Sequence, residues 1–227
     1  MILITGDTHG SLDIEKIQKI AWSSEIKYLI ILGDFGVLWG DPSELLQYYD
    51  SLPVITLWLD GNHENFDMLK QYPVETWCGG SVHRISDKVL HLMRGEIFVI
   101  EGLTFFVMGG GHSIDKKFRI PGISWWPEEN PSHEEYEHGL NVLREHEYKV
   151  DYILTHSAPT SIVRRMFRYP GNYQIERYLQ QIYEITSFKH WYFGHYHEDR
   201  QYGPFTCVYN EIIPVVKDNF VDTAKMV

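Results

Sequence analysis

Five short segments hold the residues able to do chemistry: Gly6-Asp7-Thr8-His9-Gly10, Gly33-Asp34-Phe35-Gly36, Gly61-Asn62-His63-Glu64, Thr155-His156-Ser157 and Gly194-His195-Tyr196-His197. Carboxylate, imidazole and amide donors together suit Mn, Fe or Zn better than Ca, which prefers all-oxygen sites. Asp7 and His9 alternate along an extended stretch, as do His195 and His197. A tight turn can aim both members of such a pair into one cavity. A carboxylate such as Asp34 can bridge two cations. A hydroxide bridging such a pair is a nucleophile near neutral pH, and the cations clamp phosphoryl oxygens.

Each segment follows an apolar run with strand character. In α/β sheets, ligands bind beyond the carboxyl ends of the strands, so these distant residues are expected to converge on one sheet edge. The runs are Met1–Thr5, Tyr28–Leu32, Val54–Leu59, Tyr152–Leu154 and Trp191–Phe193. Helical spacing over Leu12–Trp22 separates the first two. Asp41-Pro42-Ser43-Glu44 reads as the start of a helix, with Asp41 as N-cap and Glu44 closing a capping box. A short helix is expected over Glu64–Gln71. This strand-helix alternation predicts an α/β layer structure with a largely parallel sheet.

The middle of the chain changes character. Val89–Leu92, Ile97–Ile100 and Thr104–Met108 read as short, antiparallel strands separated by Gly-containing turns. A loop rich in Gly, Pro and Trp spans Gly109–Pro131. Ser132 and Glu135 form a capping box ahead of a helix to about His146, and another helix covers Tyr173–Ile185. Phe205–Pro214 is expected to pair last. No linker divides the chain, so a single domain over residues 1–227 is expected.

Composition bounds the function. Of 227 residues, 44% are hydrophobic and 22% charged, which is ordinary globular usage. The formal net charge of −11 disfavours non-specific binding to nucleic acids or membranes. Two cysteines outside any CxxC pair make no disulfide framework. Neither a signal peptide nor an apolar run long enough for a membrane helix is evident, and a cytoplasmic location is expected.

In order and spacing, the five segments resemble the calcineurin-like metallophosphoesterases, whose pattern runs DxH, GD, GNH[DE], H, GHxH. The resemblance implies a four-layer α/β/β/α sandwich of two mixed sheets flanked by helices. It implies two divalent metal ions, Mn before Fe or Zn. Asp7, His9, Asp34 and His197 would hold one; Asp34 would bridge to the second, which Asn62, His156 and His195 complete. His63, alongside Asn62, would contact the phosphate and protonate the leaving group.

The second segment departs from the protein phosphatase branch, which carries GDxVDRG. Val37 stands where that branch has its acid, and no Arg follows. This argues against a Ser/Thr protein phosphatase and leaves the orienter of His63 open among Asp60, Glu64 and Asp67, with Asp60 expected merely to end its strand. In the 109–131 loop, His112 and Arg119 are candidate substrate contacts, and Trp125 or Trp126 either walls the pocket or anchors the loop. Arg164, Arg165 and Arg168 read as a surface cluster from which one Arg could reach a phosphate. The expected activity is hydrolysis of a small phosphomonoester or nucleotide. A phosphodiesterase or nuclease acting on cyclic nucleotides or short oligonucleotides is the alternative, and a non-catalytic binding module a more distant one.

Overall fold

The computed structural model describes residues 1–215, so the single-domain expectation reaches twelve residues, 216–227, that lie outside the described ones. Strands β1 (Ile2–Thr5), β2 (Tyr28–Ile31) and β3 (Ile55–Trp58) run parallel and in that order. They continue into β6 (Val89–Leu92), also parallel, then antiparallel β5 (Gly80–Arg84) and β4 (Val74–Trp77). A last strand, β13 (Ile213–Pro214), closes the other edge antiparallel to β1.

The second sheet has a parallel centre of β8 (Leu103–Met108), β9 (Tyr152–Thr155), β10 (His190–Phe193) and β12 (Phe205–Cys207). Antiparallel β7 (Glu96–Ile100) and β11 (Arg200–Tyr202) form its edges.

Side-chain alternation explains the layering. Along β2, Ile30 faces the other sheet with Ile4, Leu57, Phe105, Val107 and Leu154, whereas Leu29 and Ile31 face helices. A strand covered on both faces reads as an unbroken apolar run, which is what Tyr28–Leu32 is. Helices α1 (Glu15–Gln18), α2 (Ser43–Ser51) and α3 (Phe66–Leu69) cover the outer face of the first sheet through Ile17, Tyr49, Phe66 and Leu69. The second is covered by α4 (His133–Glu145), α5 (Thr160–Phe167) and α6 (Gln174–Ile185). The result is two mixed sheets packed face to face between helices.

Several expectations need correction. The helix expected over Leu12–Trp22 shrinks to four residues, because Lys16 turns inward to backbone carbonyls and only Ile17 of α1 enters the core. Asp41 does not cap α2. Its carboxylate accepts from Ser43 N and Oγ in a local turn, Pro42 occupies the cap position, and Glu44 closes no box. The middle strands are not one antiparallel set. Arg94-Gly95-Glu96 carries the chain from the first sheet to the second, so β6 and β7 are not hydrogen-bonded neighbours. Phe205–Pro214 likewise splits between the sheets. The hairpin of β4 and β5, the helix α5 and the edge strand β11 were not foreseen. The capping box at Ser132 and Glu135 forms as expected.

Candidate metal centre

The five segments follow β1, β2, β3, β9 and β10, parallel central strands of the two sheets. Backbone and side-chain bonds knit their ends together. His9 N donates to Asp34 O at 2.8 Å, and Gly194 N donates to His156 O at 3.1 Å. His63 N donates to Asp34 Oδ1 at 2.8 Å, and His195 N donates to Asp7 Oδ1 at 3.1 Å. Two candidate ligands thus organise the backbone of two other segments.

The turns are tight. His9, Asp34, His195 and His197 all have left-handed backbone, with φ of 45°, 47°, 69° and 51°. Non-glycine residues adopt this region at a cost and cluster there at functional sites. The neighbouring glycines permit close approach. A Cβ at Gly61 would sit 2.0 Å from Asp34 Oδ1, and one at Gly194 would sit 2.4 Å from Asp7 Oδ1.

The donor atoms converge. Asp7, His9 and His197 form one group, and Asp7, Asp34 and His156 another, each with its ligand atoms within 4.8 Å of one another. Asp34 stands between the two sides, its Oδ2 3.6 Å from His9 Nε2 and its Oδ1 3.5 Å from His156 Nε2. These separations are long for hydrogen bonds. Asp7 Oδ2 is buried with no hydrogen bond aimed at it, although His197 Nε2 lies 3.0 Å away. Metal–nitrogen and metal–oxygen bonds of about 2.0–2.2 Å place neighbouring ligands about 3–3.5 Å apart, so this donor set fits divalent cations.

Electrostatics agree. Burial opposes charge on Asp7 and Asp34, yet His156 and its neighbours hold both carboxylates below the usual range. Burial and the adjacent His156 push His195 down to about 3, which leaves a neutral imidazole of the kind that ligates. His156 Nδ1 donates to Leu32 O at 2.7 Å, so Nε2 is the atom that faces the carboxylates; burial opposes its charge, but Asp34 and Asp7 raise its pKa to about 10, and a cation bound there would displace that proton. His9 Nδ1 is held by Asp13 Oδ2 at 2.8 Å in the same manner. Asn62 Oδ1 lies 3.1 Å from His156 Nε2.

Three supporting residues were missed in the sequence. Ser113 Oγ accepts from Asn62 Nδ2, Asp13 holds His9, and Lys16 donates to the carbonyls of Gly6, Asp7 and Tyr209. Burial lowers the Lys16 ammonium to about 8. Only Ser113 left a trace, as the last residue of Gly109-Gly110-Gly111-His112-Ser113.

None of the three acids considered for His63 touches it. Glu64 is fully buried and accepts from Phe35 N at 2.8 Å, Gly36 N at 3.3 Å and Gly61 N at 3.4 Å, which clasps the second segment to the third. Asp67 accepts from Trp126 Nε1 at 2.8 Å. Asp60 does more than end its strand: it binds Arg94 Nε at 2.9 Å and His91 Nε2 at 3.1 Å. The group that meets His63 is Arg119, whose Nη2 lies 3.3 Å from Nε2. Arg119 is itself held by Asp115 Oδ1 at 2.8 Å and Ser124 O at 3.3 Å. Val37 lies in the apolar core against the outer helices.

A cavity of about 390 Å³ opens beside these residues, lined in part by Asn62, His63, His112, His195 and His197. Trp126 is buried in the core, and Trp125 packs under Lys116 Nζ at 5.9 Å. Neither Trp lines this cavity, so the loop is anchored by them and the cavity is walled by other rings. Arg164 binds the carbonyls of Pro170 and Gly171, and Arg165 lies over Tyr202.

Two facing mixed sheets thus gather carboxylates and imidazoles at their strand ends, a donor set that could hold divalent cations. Residues 1–199 match the family model described as calcineurin-like phosphoesterase, and the chain belongs to that family of hydrolases acting on phosphate esters. Among solved structures, it is similar in fold to a protein from Staphylococcus aureus whose name gives it as a 5'-nucleotidase, solved in complex with alpha-ketoglutarate. The identity is 14% and the TM-score 0.51, over 92% of this chain and 48% of that one. The chain therefore spans about half the length of that protein. A comparison with curated proteins finds no match. Among the described residues, no helix is long and apolar enough to cross a membrane.

Proposed function

We propose that this chain hydrolyses a phosphomonoester of a small molecule or nucleotide, with Asp7, His9, Asp34, Asn62, His156, His195 and His197 as ligands of two divalent cations, Mn foremost. The observation that carries this reading is the placement of His63 beside Asp34 and Asn62 in the lining of the cavity, with Arg119 in contact with its Nε2. When bound, the cations would supply Lewis-acid polarisation of the ester and activation of water.

The chain's own residues do the rest. Asn62, fixed by Ser113, presents its amide to a phosphoryl oxygen or a cation. Arg119 presents a planar fork of donors, suited to two phosphate oxygens, beside His63. His63 Nε2 accepts from Arg119, which places the proton of the neutral ring on Nδ1. Burial lowers the pKa of His63, and Arg119 adds to that. A phosphate that engages Arg119 frees Nε2 and offsets the positive charge, so the ring can take up a proton there from solvent, keeping the one on Nδ1, and pass it to the leaving oxygen, which returns the ring to neutral. Arg119 thus stands in for the arginine absent from the second segment.

The test is to strip the protein with chelator, reload it with Mn²⁺ and assay a chromogenic phosphomonoester beside its diester. Faster monoester cleavage is expected. Asp34→Asn is expected to abolish turnover and lower bound metal measured by elemental analysis. A fully active Asp34→Asn protein would sink the assignment, and faster diester cleavage would move the substrate to cyclic nucleotides or short oligonucleotides.

A further inference from the structure

Two unlike sets of residues line the cavity beside His63. One is Asp34, Asn62, His63 and the histidines of the last segment; the second, an aromatic wall, is Ile114, Tyr169, Tyr173 and Tyr196, which adjoins the first through His195. No Lys or Arg is among the lining residues, while Asp115 and Glu176 are.

Two of the tyrosines, Tyr173 and Tyr196, are backed by other rings. Tyr173 stacks on His112, with centroids 3.9 Å apart and planes at 19°. Tyr196 stacks on Phe167 at 4.3 Å and 12°, and its hydroxyl lies 3.3 Å from Glu176 Oε1. Tyr169 is 40% exposed, an unusual position for a large ring. It sits on a segment set by the left-handed Arg168, φ 56°, and pinned by Arg164 through Pro170 O and Gly171 O. Stacked rings such as Tyr173 and Tyr196 lose little conformational freedom when a ligand arrives, so the contact area they offer is cheap to use, and Tyr169 adds an accessible ring beside them.

We infer that this second wall is a leaving-group subsite for an uncharged planar ring, of the nucleoside or aryl class. The inference rests on the phosphoesterase reading for the placement of the phosphate, and goes beyond it in naming what the phosphate is attached to. The volume, about 390 Å³, lies at the lower end of the range for small-molecule sites, about 300–1,000 Å³. A flat ring gains by stacking on tyrosine faces, and every such ring has a π-face, so the subsite selects shape before hydrogen-bond pattern. A second anionic group would meet Glu176 and an Asp115 whose charge is already taken up by Arg119, with no Lys or Arg in the lining to receive it. A polyphosphate or bisphosphate therefore fits this wall poorly, and an open-chain polyol phosphate leaves the ring faces uncovered.

The experiment measures binding apart from turnover. Mn²⁺-loaded protein is titrated calorimetrically with phenylphosphonate and with methylphosphonate, which present the same anion with and without a ring. Phenylphosphonate is expected to bind at least about tenfold tighter, as one stacked ring supplies. Tyr169→Leu and Tyr173→Leu, which keep apolar bulk but remove the ring, should each reduce that ratio about threefold or more; Tyr169→Phe should preserve it. A wild-type ratio near one, or a ratio unmoved in both Leu variants, overturns the subsite. Cleavage of phenyl phosphate, assayed in parallel, separates the two readings. No cleavage with the ratio intact removes the phosphoesterase reading and keeps the ring subsite. Cleavage with a ratio near one does the reverse.

Discussion

Asn62 Nδ2 donates to Ser113 Oγ at 3.1 Å, and this one bond turns Asn62 Oδ1 toward His156 Nε2. An unrestrained amide can rotate and offer nitrogen where a ligand must offer oxygen. Ser113 is buried and its own N donates to Glu129 Oε1 at 3.2 Å, so the hydroxyl is held in place from behind. Ser113→Ala is expected to fold normally and to weaken Mn²⁺ binding by about tenfold or more, the usual effect of removing a ligand's supporting bond. Metal titration of the chelator-treated variant measures this directly. An unchanged affinity would mean that Asn62 is not a ligand or needs no such support.

Arg119 comes from the 109–131 loop, 56 residues from His63 in sequence, and its Nη2 lies 3.3 Å from His63 Nε2. Arg119→Ala should lower kcat/KM for a phosphomonoester by about 10²-fold, the scale of losing one charge-assisted, oriented donor to the transition state. Arg119→Lys should recover only part of this, because an ammonium lacks the fork. Metal content should not change. If it falls as far as activity, Arg119 acts through the metal cluster rather than on the phosphate.

Arg94 and Asp60 form a buried ion pair outside the candidate centre, with side chains 6% and 2% exposed. Arg94 also reaches Glu135 at 3.2 Å and Glu128 O at 2.7 Å, so it ties the end of β3 to the loop and to α4. Burial penalises charge on Asp60, but Arg94 outweighs it and holds the carboxyl well below its ordinary range. Arg94→Ala leaves that buried carboxylate with His91 Nε2 but without its guanidinium, and should cost about 3–5 kcal/mol, read from urea denaturation. Arg94→Ala together with Asp60→Asn should recover part of the loss. A single variant with wild-type stability would show that water reaches the carboxylate.

These residues mark what the sequence could and could not say. Asp7, Asp34, His156 and His195 were legible because each follows a strand core whose apolar run is unmistakable, and parallel strands must end together. Glu64 was legible as a member of its segment but not in its role, since it clasps backbone N–H groups of Phe35 and Gly36 from another strand end. Asp60, Ser113 and Arg119 were harder for one reason: their partners lie 34, 51 and 56 residues away, across loops with no periodicity. Glycine in a left-handed turn, φ 77° at Gly95, serves a hairpin and a crossing between sheets equally, so the sequence there does not distinguish the two. Short edge strands such as β4 and β11 have mostly exposed side chains and so leave no apolar run to find.

His190 provides a prediction about acid stability that is independent of the metal cluster. It lies at the start of β10 with Nε2 2.8 Å from Thr206 Oγ1, and burial pushes its pKa down to about 4 from 6.5. Above 6.5 the ring is neutral whether the chain is folded or not, and it contributes no pH dependence. As pH falls from 6.5 toward 4, the unfolded chain takes up a proton that the folded chain refuses, so stability drops through that window. His83, pushed down to about 4 by burial and then by His91, acts in the same direction. His190→Gln keeps a hydrogen-bonding group near Thr206 and cannot titrate. Its urea midpoint should therefore fall less steeply than that of the wild type as pH drops below 6.5. Both proteins share every other titrating group, so the difference in slope isolates His190. Parallel slopes would show that the His190 ring is reached by water and protonates in the folded state as readily as in the unfolded one.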